Sequence, residues 1–297
     1  MLYNAFPNLE WLKKQAENRF AAGKAWNGEQ MPSGGWPNVL LNVKSGATLR
    51  DNIPGPLSLF SNVSGESQVT VDGRTTIVKA DHFFITNNTQ RYTLEIDKNR
   101  SAETFNIHFG QAWMNGIVAN ENVEFYNKLY PKDDVVRSFQ SQLKVADKTK
   151  LEREELLTLL IVHLLRIDRR EKINLESLDA IKISTRQDII RRIHLATDYI
   201  YSFYSHDISL DDLSKVSMLS KFHFLRAFKQ VYGTAPHKFL NTVRIEKAKD
   251  LLLNSESDVL TISRAIGIKD SSSFSRLFKN TTSVYPTVFR KICHRTG

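Results

Sequence analysis

One pattern occurs twice in the last third of this 297-residue chain, and it restricts the fold more than any other feature. The first copy reads Ser220-Lys221-Phe222-His223-Phe224-Leu225-Arg226-Ala227-Phe228-Lys229, and the second reads Asp270-Ser271-Ser272-Ser273-Phe274-Ser275-Arg276-Leu277-Phe278-Lys279. Phe224, Arg226, Phe228, Lys229, Pro236 and Phe239 each have a counterpart 50 residues later. Phenylalanines four apart share one helix face, so Phe224 and Phe228 define a buried stripe from which Arg226 and Lys229 diverge. Ser220 and Asp270 stand where an N-cap belongs. A short helical segment precedes each copy, from Leu210 to Val216 and from Leu260 to Ile266. Two copies are too few for a solenoid. They describe two helix–turn–helix units, a motif whose second helix lies in the DNA major groove. Pro236 to Leu253 reads as a linker helix, with proline near its first turn. At 1.5 Å per residue it is about 27 Å long. Successive major grooves on one DNA face lie about 34 Å apart, so this helix suits two reading heads on one duplex.

The charge follows the motif. Of a net +9, residues 184–297 carry 18 Lys/Arg against 10 Asp/Glu, giving +8, and residues 1–183 carry 23 against 22, giving +1. A basic half that also holds the motifs is what a phosphate-binding surface requires. Cys293 is the single cysteine, which rules out a disulfide or a thiolate metal cluster within one chain and fits a reducing compartment. The N-terminal residues lack the basic flank and apolar run of a signal peptide. The longest apolar stretch, Leu156 to Leu165, is interrupted by Thr158 and His163 and is too short to span a membrane. A cytoplasmic location, double-stranded DNA as partner and no membrane partner are the resulting expectations.

Residues 184–292 resemble the AraC/XylS-type DNA-binding domain of bacterial transcription regulators. The matching positions are Ile262, Ala265, Gly267, Phe274, Arg276, Phe278, Lys279, Pro286, Phe289 and Arg290, with Pro236, Phe239, Leu240, Arg244 and Ala248 on the linker. The chain departs from that pattern at Ile268, where the family usually has Phe, at Ser283, where Gly is common, and at Ser214, Ser263 and Met218. The resemblance implies a DNA-binding transcription regulator, more often an activator, that is not an enzyme and needs no cofactor; the alternatives are a cupin-type enzyme tethered to DNA and a constitutive DNA-binding protein whose N-terminal domain only dimerises. It further implies a homodimer, RNA polymerase as a partner, and an N-terminal domain that senses a signal, with a small-molecule effector as one form of that signal. The DNA-contacting residues it implies are Lys221, Phe222, Leu225, Arg226 and Lys229 on the first reading helix. On the second they are Ser271, Ser272, Ser275, Arg276 and Lys279, with Arg290 beyond it. Phe222 and Leu225 lie three apart and off the core stripe, so they are expected to face outward together, unless Phe222 folds back onto the core. Exposed apolar residues beside an arginine suit thymine methyls and guanine, whereas serine hydroxyls bond to base edges or phosphates alike.

Ahead of the motifs the texture is different, and the chain as a whole reads as α+β with three parts: residues 1–120, 121–183 and 184–297. A short helix is expected at Leu9–Ala22. From Val39 to about Phe109 short β-like runs alternate with turn residues: Val39–Val43, Leu57–Phe60, Gln68–Val71, Thr76–Val78, Phe83–Ile85, Tyr92–Ile96 and Thr104–Phe109. Asp72-Gly73 is a hairpin signal, and Asn52–Pro56 and Asn87–Thr89 read as turns. This spacing suggests an antiparallel sandwich or barrel. In layout it resembles the cupin-like β-barrel sensor domain found in many AraC-type regulators. Trp36, Phe84, Tyr92, Phe105 and Phe109 are candidates to line a pocket or simply to fill the core, and no effector-binding residue is singled out. His82 and His108 are isolated, without the close His pair of a metal-dependent cupin, so no metal site is expected. Neither a nucleophile elbow nor a phosphate-cradling glycine loop is present.

Residues 121–183 read as helical. Asp133–Val145 is one helix and Leu151–Arg170 a stronger one, with Leu156, Leu157, Leu160, Ile161, Leu164, Leu165 and Ile167 on a broad apolar face. That face either packs on the β domain of its own chain or forms the dimer interface that the resemblance implies. In the second case, Leu160→Asp or Leu164→Asp gives a soluble monomer. The charged stretch 168–184 is expected to hold the interdomain linker. The helix Thr185–Tyr204 then opens the DNA-binding domain, with Ile189, Ile193, Ala196 and Ile200 as its stripe.

Overall fold

Strands with one face on a core alternate buried and exposed residues, and strands covered on both faces do not. Both kinds occur in the computed structural model, which describes residues 2–3, 38–46, 48–97, 99–118, 123–145, 147–176 and 183–293. The helix expected at Leu9–Ala22 and the candidate pocket residue Trp36 lie outside these. The chain divides into two compact units, Met1–Lys172 and Ile173–Gly297.

The first unit contains strands β1 (Leu2–Tyr3), β2 (Val39–Ser45), β3 (Thr48–Pro54), β4 (Ser58–Ser64), β5 (Glu66–Val71), β6 (Arg74–Lys79), β7 (His82–Thr86), β8 (Arg91–Ile96), β9 (Ala102–His108) and β10 (Leu129–Pro131). They form two antiparallel sheets, in the orders β1-β2-β9-β4-β7-β10 and β3-β8-β5-β6. The expected barrel is thus a pair of sheets among the described strands, not a closed ring of pairing. Strand β5 alternates half-buried and buried positions, as a one-sided strand does, while all of β7 is buried. The reason lies on the two faces of the larger sheet. Leu59, Phe83, Ile85, Phe105 and Ile107 point into a core completed by helices. Phe60, one residue on, points the other way, and its ring lies 4.7 Å from that of Tyr92 on the second sheet. Phe84, Tyr92, Phe105 and Phe109 are all fully buried.

Asp72 and Gly73 both have positive φ, 51° and 74°, and join β5 to β6 as the hairpin signal requires. The turn expected at Asn52–Pro56 is instead largely the end of β3. Its pairing with β8 shifts register between Arg50 and Ile53, and Asn52 has φ 52°. Turn-forming residues here make a bulge within a strand. His82 opens β7, and its Nδ1 lies 2.9 Å from Asp81. His108 is buried beside Tyr92, and its Nδ1 is 2.8 Å from Ser58 Oγ. Since Ser58 Oγ–H donates to Pro56 O, the imidazole donates from Nδ1. Burial first, then the charge of Arg50, lowers the His108 pKa to about 3. It is a neutral, satisfied core histidine. Among the described residues no three His, Cys, Asp or Glu side chains come together as a metal site.

Helices α1 (Gln111–Ile117), α2 (Asp134–Leu143) and all but the last turn of α3 (Lys150–Glu176) complete this unit's elements. Asp133 caps α2 by accepting from Val136 N at 2.8 Å. Leu157, Leu160, Ile161 and Leu164 of α3 are 0–2% exposed in the core under the larger sheet. The broad apolar face is therefore intramolecular, and a dimer interface built on Leu160 and Leu164 is corrected. Helix α3 also runs six residues past Arg170. The reason is that its charges are engaged: Lys172 Nζ lies 2.6 Å from Asp168 and donates to Glu124 O, and Lys128 pairs with Glu171. A charge-rich stretch that looked like linker is helix through Glu176, and any linker starts later.

The second unit comprises α4 (Ile183–Phe203), α5 (Leu210–Ser217), α6 (Lys221–Tyr232), α7 (Pro236–Asn254), α8 (Val259–Ala265), α9 (Ser271–Thr282) and α10 (Pro286–Cys293). No helix among the described residues is long and apolar enough to cross a membrane.

Candidate nucleic-acid interface

Each reading helix is built on the same aromatic triad. In the first head the Phe228 ring lies 5.4 Å from Phe224 and 5.5 Å from Phe239 of α7. In the second, Phe278 lies 5.6 Å from Phe274 and 5.4 Å from Phe289 of α10. The first turns of α7 and α10 thus back the helices that precede them. Further along, Ile245, Ala248 and Leu252 of α7 enter the second head's core with Ile262, Ile266, Phe274 and Phe278. Over its 19 residues, about 28 Å, α7 belongs to both heads. The wide apolar arc seen in its sequence follows from that double duty.

The four helices α5, α6, α8 and α9 are capped as their sequences direct. Ser209 and Asp212 form a capping box on α5, and Ser220 Oγ accepts from His223 N on α6. Asp258 accepts from Thr261 N at 2.6 Å and Asp270 from Ser273 N at 2.7 Å. Those backbone bonds hold both carboxyls below their ordinary pKa. The repeat is not uniform. From the N-caps Ser220 and Asp270 onward the interval is 50, but the N-caps of the preceding helices, Ser209 and Asp258, are 49 apart. Accordingly α8 begins at Val259, one residue earlier than expected. Equivalent turn bonds, Leu219 N to Ser214 O and Ile268 N to Ser263 O, place the extra residue at Lys269.

Each head needs two left-handed residues, and each supplies one glycine. They are Met218 (φ 52°) and Gly233 (φ 67°) in the first, and Gly267 (φ 80°) and Ser283 (φ 67°) in the second. The departures noted at Met218 and Ser283 therefore leave the backbone geometry in place, at about 1–2 kcal/mol each.

On α6, Phe224, Ala227, Phe228 and Val231 are buried, and Lys221, Phe222, Leu225, Arg226 and Lys229 are exposed. Phe222 is 78% exposed, so it does not fold back onto the core. On α9, Ser272, Arg276 and Lys279 are exposed and Ser271 and Ser275 half-buried. The heads thus offer an apolar pair plus arginine on one side, and hydroxyls plus arginine on the other. Lys221 is paired with Asp211 of α5. Lys279 Nζ sits 4.5 Å above the Tyr285 ring. Neither Asp211 nor Tyr285 was singled out in the sequence; the acidic Asp211-Asp212 pair opening α5 was the available signal for the first.

Arg290 has a different position from that expected of a DNA contact. Its Nε donates to Leu252 O at 3.2 Å and its Nη2 to Ser257 O at 2.6 Å. Arg244 does the same one head earlier, donating to Tyr204 O and His206 O, each at 2.8 Å. Leu252 lies in the last turn of α7, Ser257 beyond its end, and Tyr204 and His206 beyond the end of α4, so each guanidinium engages carbonyls at or just past a helix C-terminus. The two arginines clamp the chain where it enters each head.

Residues 213–292 match the family model described as a helix-turn-helix domain. The raffinose operon transcriptional regulatory protein of Pediococcus pentosaceus is 34% identical over 100 residues, covering 34% of this chain and 36% of that protein. The lactose operon transcription activator of Staphylococcus xylosus is 29% identical over 108 residues, covering 36% and 39%. The chain thus spans little more than a third of the length of either. A transcriptional regulator from Chromobacterium violaceum, titled as containing an AraC-type DNA-binding domain, is 24% identical with a TM-score of 0.34, over 36% of this chain and 95% of that one. The duplicated signature falls within the residues that match the helix-turn-helix model, on the helices of the C-terminal unit.

Proposed function

We propose that this chain is a transcription regulator that binds double-stranded DNA through α6 and α9, with α7 as the spacer, and acts as an activator through RNA polymerase. The observation that carries this is the twice-built helix: two buried phenylalanines packed on a half-buried third on one side, and Arg226 or Arg276 exposed on the other. The first head supplies most of the base discrimination, with Phe222, Leu225 and Arg226 at base edges. The second, with Ser271, Ser272, Ser275 and Arg276, contributes relatively more register and phosphate contact, and Lys229 and Lys279 serve as phosphate ligands. The β-rich unit receives the signal, with a small-molecule effector as its form.

The chain is expected to bind a selected duplex with an affinity that falls steeply with salt. Arg226→Ala should cost about 1–3 kcal/mol there and relax base preference in one half-site. Salt-independent binding would sink the reading. So would stronger base preferences under α9 than under α6 in a selection on randomised DNA, as far as the division of labour goes.

Asp211 holds Lys221 by an exposed ion pair, which is intrinsically weak. Asp211→Asn should therefore free Lys221 for phosphate, tightening binding at low salt and steepening the salt slope by about one unit. An unchanged slope in a salt titration would show that Lys221 does not reach the backbone.

The homodimer is proposed on the outward stripe of α3, made of Glu155, Leu159, Val162 and Arg166. Leu159 is 49% exposed, and no ion pair among the described residues engages Glu155 or Arg166. Laid antiparallel on a second copy, this stripe sets Glu155 against Arg166 and Leu159 against Val162, a self-complementary arrangement of the kind a twofold interface needs.

A further inference from the structure

The exposed apolar residues of α6 ask for a partner inside an anionic surface. Phe222 is 78% and Leu225 39% exposed, and Met218, the residue that ends α5, is 59% exposed. The core of the head is complete without them, since Phe224, Ala227, Phe228 and Val231 fill the buried face. Lys221, Arg226 and Lys229 surround the pair with positive charge. A duplex answers the charge, and within its major groove the apolar group at a base edge is the C5 methyl of thymine.

We infer that the first head reads the pyrimidine 5-methyl group itself, through Phe222 and Leu225, and therefore accepts 5-methylcytosine in place of thymine. This rests on the proposal that α6 enters the major groove. Thymine and 5-methylcytosine carry the same methyl at C5 and differ at C4, where one presents a carbonyl and the other an amino group. A phenylalanine or leucine side chain makes no hydrogen bond that would tell those two apart. Arg226, the next residue after Leu225, offers its fork to guanine O6 and N7. A methylated pyrimidine neighbouring a guanine is thus the step this surface fits. The second head lacks the device. Serines stand at the corresponding places, 50 residues on, and a hydroxyl bonds to a carbonyl or an amino group alike.

The test uses the full chain and a duplex obtained by selection from randomised DNA, with affinity read by fluorescence anisotropy. Each thymine is replaced in turn by uracil, which lacks only the methyl, and by cytosine or 5-methylcytosine, each with guanine placed opposite so that the duplex stays paired. In the half-site whose preference Arg226→Ala relaxes, uracil and cytosine are expected to weaken binding about fourfold at one or more positions, the worth of one buried methyl. There 5-methylcytosine should bind within about twofold of thymine, and Phe222→Ala or Leu225→Ala should bring all four bases within about twofold of one another. Both residues are surface-exposed, so the variants are expected to fold. Equal binding of thymine and uracil at every position overturns the inference, as does 5-methylcytosine behaving like cytosine, or methyl discrimination that survives both alanine variants. In each of those outcomes the duplex is still bound with its salt dependence. Loss of binding to every duplex by the unaltered chain instead overturns the proposed function, and this inference with it.

Discussion

Gly267→Ala is expected to destabilise the C-terminal unit by about 2–5 kcal/mol, the sum of a left-handed residue's strain and an overpacked contact. Gly267 has φ 80°, and a Cβ there would lie 2.6 Å from Ser205 O and 2.7 Å from its carbonyl carbon. Backbone at that distance must move, yet Ser205 is not free to do so. Arg244 holds the carbonyls of Tyr204 and His206 on either side of it. The control is Gly233, which has φ 67° but nothing within 4 Å of its would-be Cβ. Gly233→Ala is left with the conformational term, about 1–2 kcal/mol. Native-state hydrogen exchange at the amides of α9 measures both. Equal loss of protection in the two variants would mean that close approach to Ser205 plays no part.

The second large effect separates the two faces of α3. Leu160 is fully buried in a core with Leu59, Phe105 and Ile107. Leu160→Asp removes that packing and strands a carboxylate, a combined cost of at least about 5 kcal/mol. A domain's whole stability is about 5–15 kcal/mol, so the N-terminal unit should lose its cooperative unfolding transition and appear largely unfolded by circular dichroism. Leu159→Asp, one residue earlier and half exposed, should change stability by no more than about 0.5 kcal/mol. If the proposed dimer forms on that stripe, its effect belongs in sedimentation, as dissociation that already sets in at higher protein concentration than for the unaltered chain. A soluble, folded Leu160→Asp monomer would contradict the packing described for α3. A Leu159→Asp variant that associates like the unaltered chain would remove the outer stripe as the interface.

Most of the C-terminal unit was legible because its determinants are local. Capping residues, the four-residue spacing of Phe224 and Phe228, the proline that opens α7 and the duplication itself act within a few turns of chain, so α5, α7 and α8 fall within one residue of where the pattern put them. The outward direction of Arg226 and Arg276 follows from helix geometry in the same way. What the sequence left open depended on distant partners. Whether Phe222 turned outward was settled by a core that Phe239 and Tyr232 had already filled. Arg290 read as a DNA contact because its charge is visible in sequence, whereas the carbonyls of Leu252 and Ser257 that engage it are not.

In the N-terminal unit the balance reverses. Alternation located seven strands, but β3 was obscured because Asn52 carries turn chemistry inside a bulge, and β10 because three residues are too few to show a period. Sheet pairing joins residues as far apart as Val39 and His108, and no local pattern encodes it. The apolar face of α3 was plain in sequence, since helical periodicity is local. Only the tertiary structure could say that its partner is the sheet of the same chain, because an apolar stripe carries no record of which surface covers it.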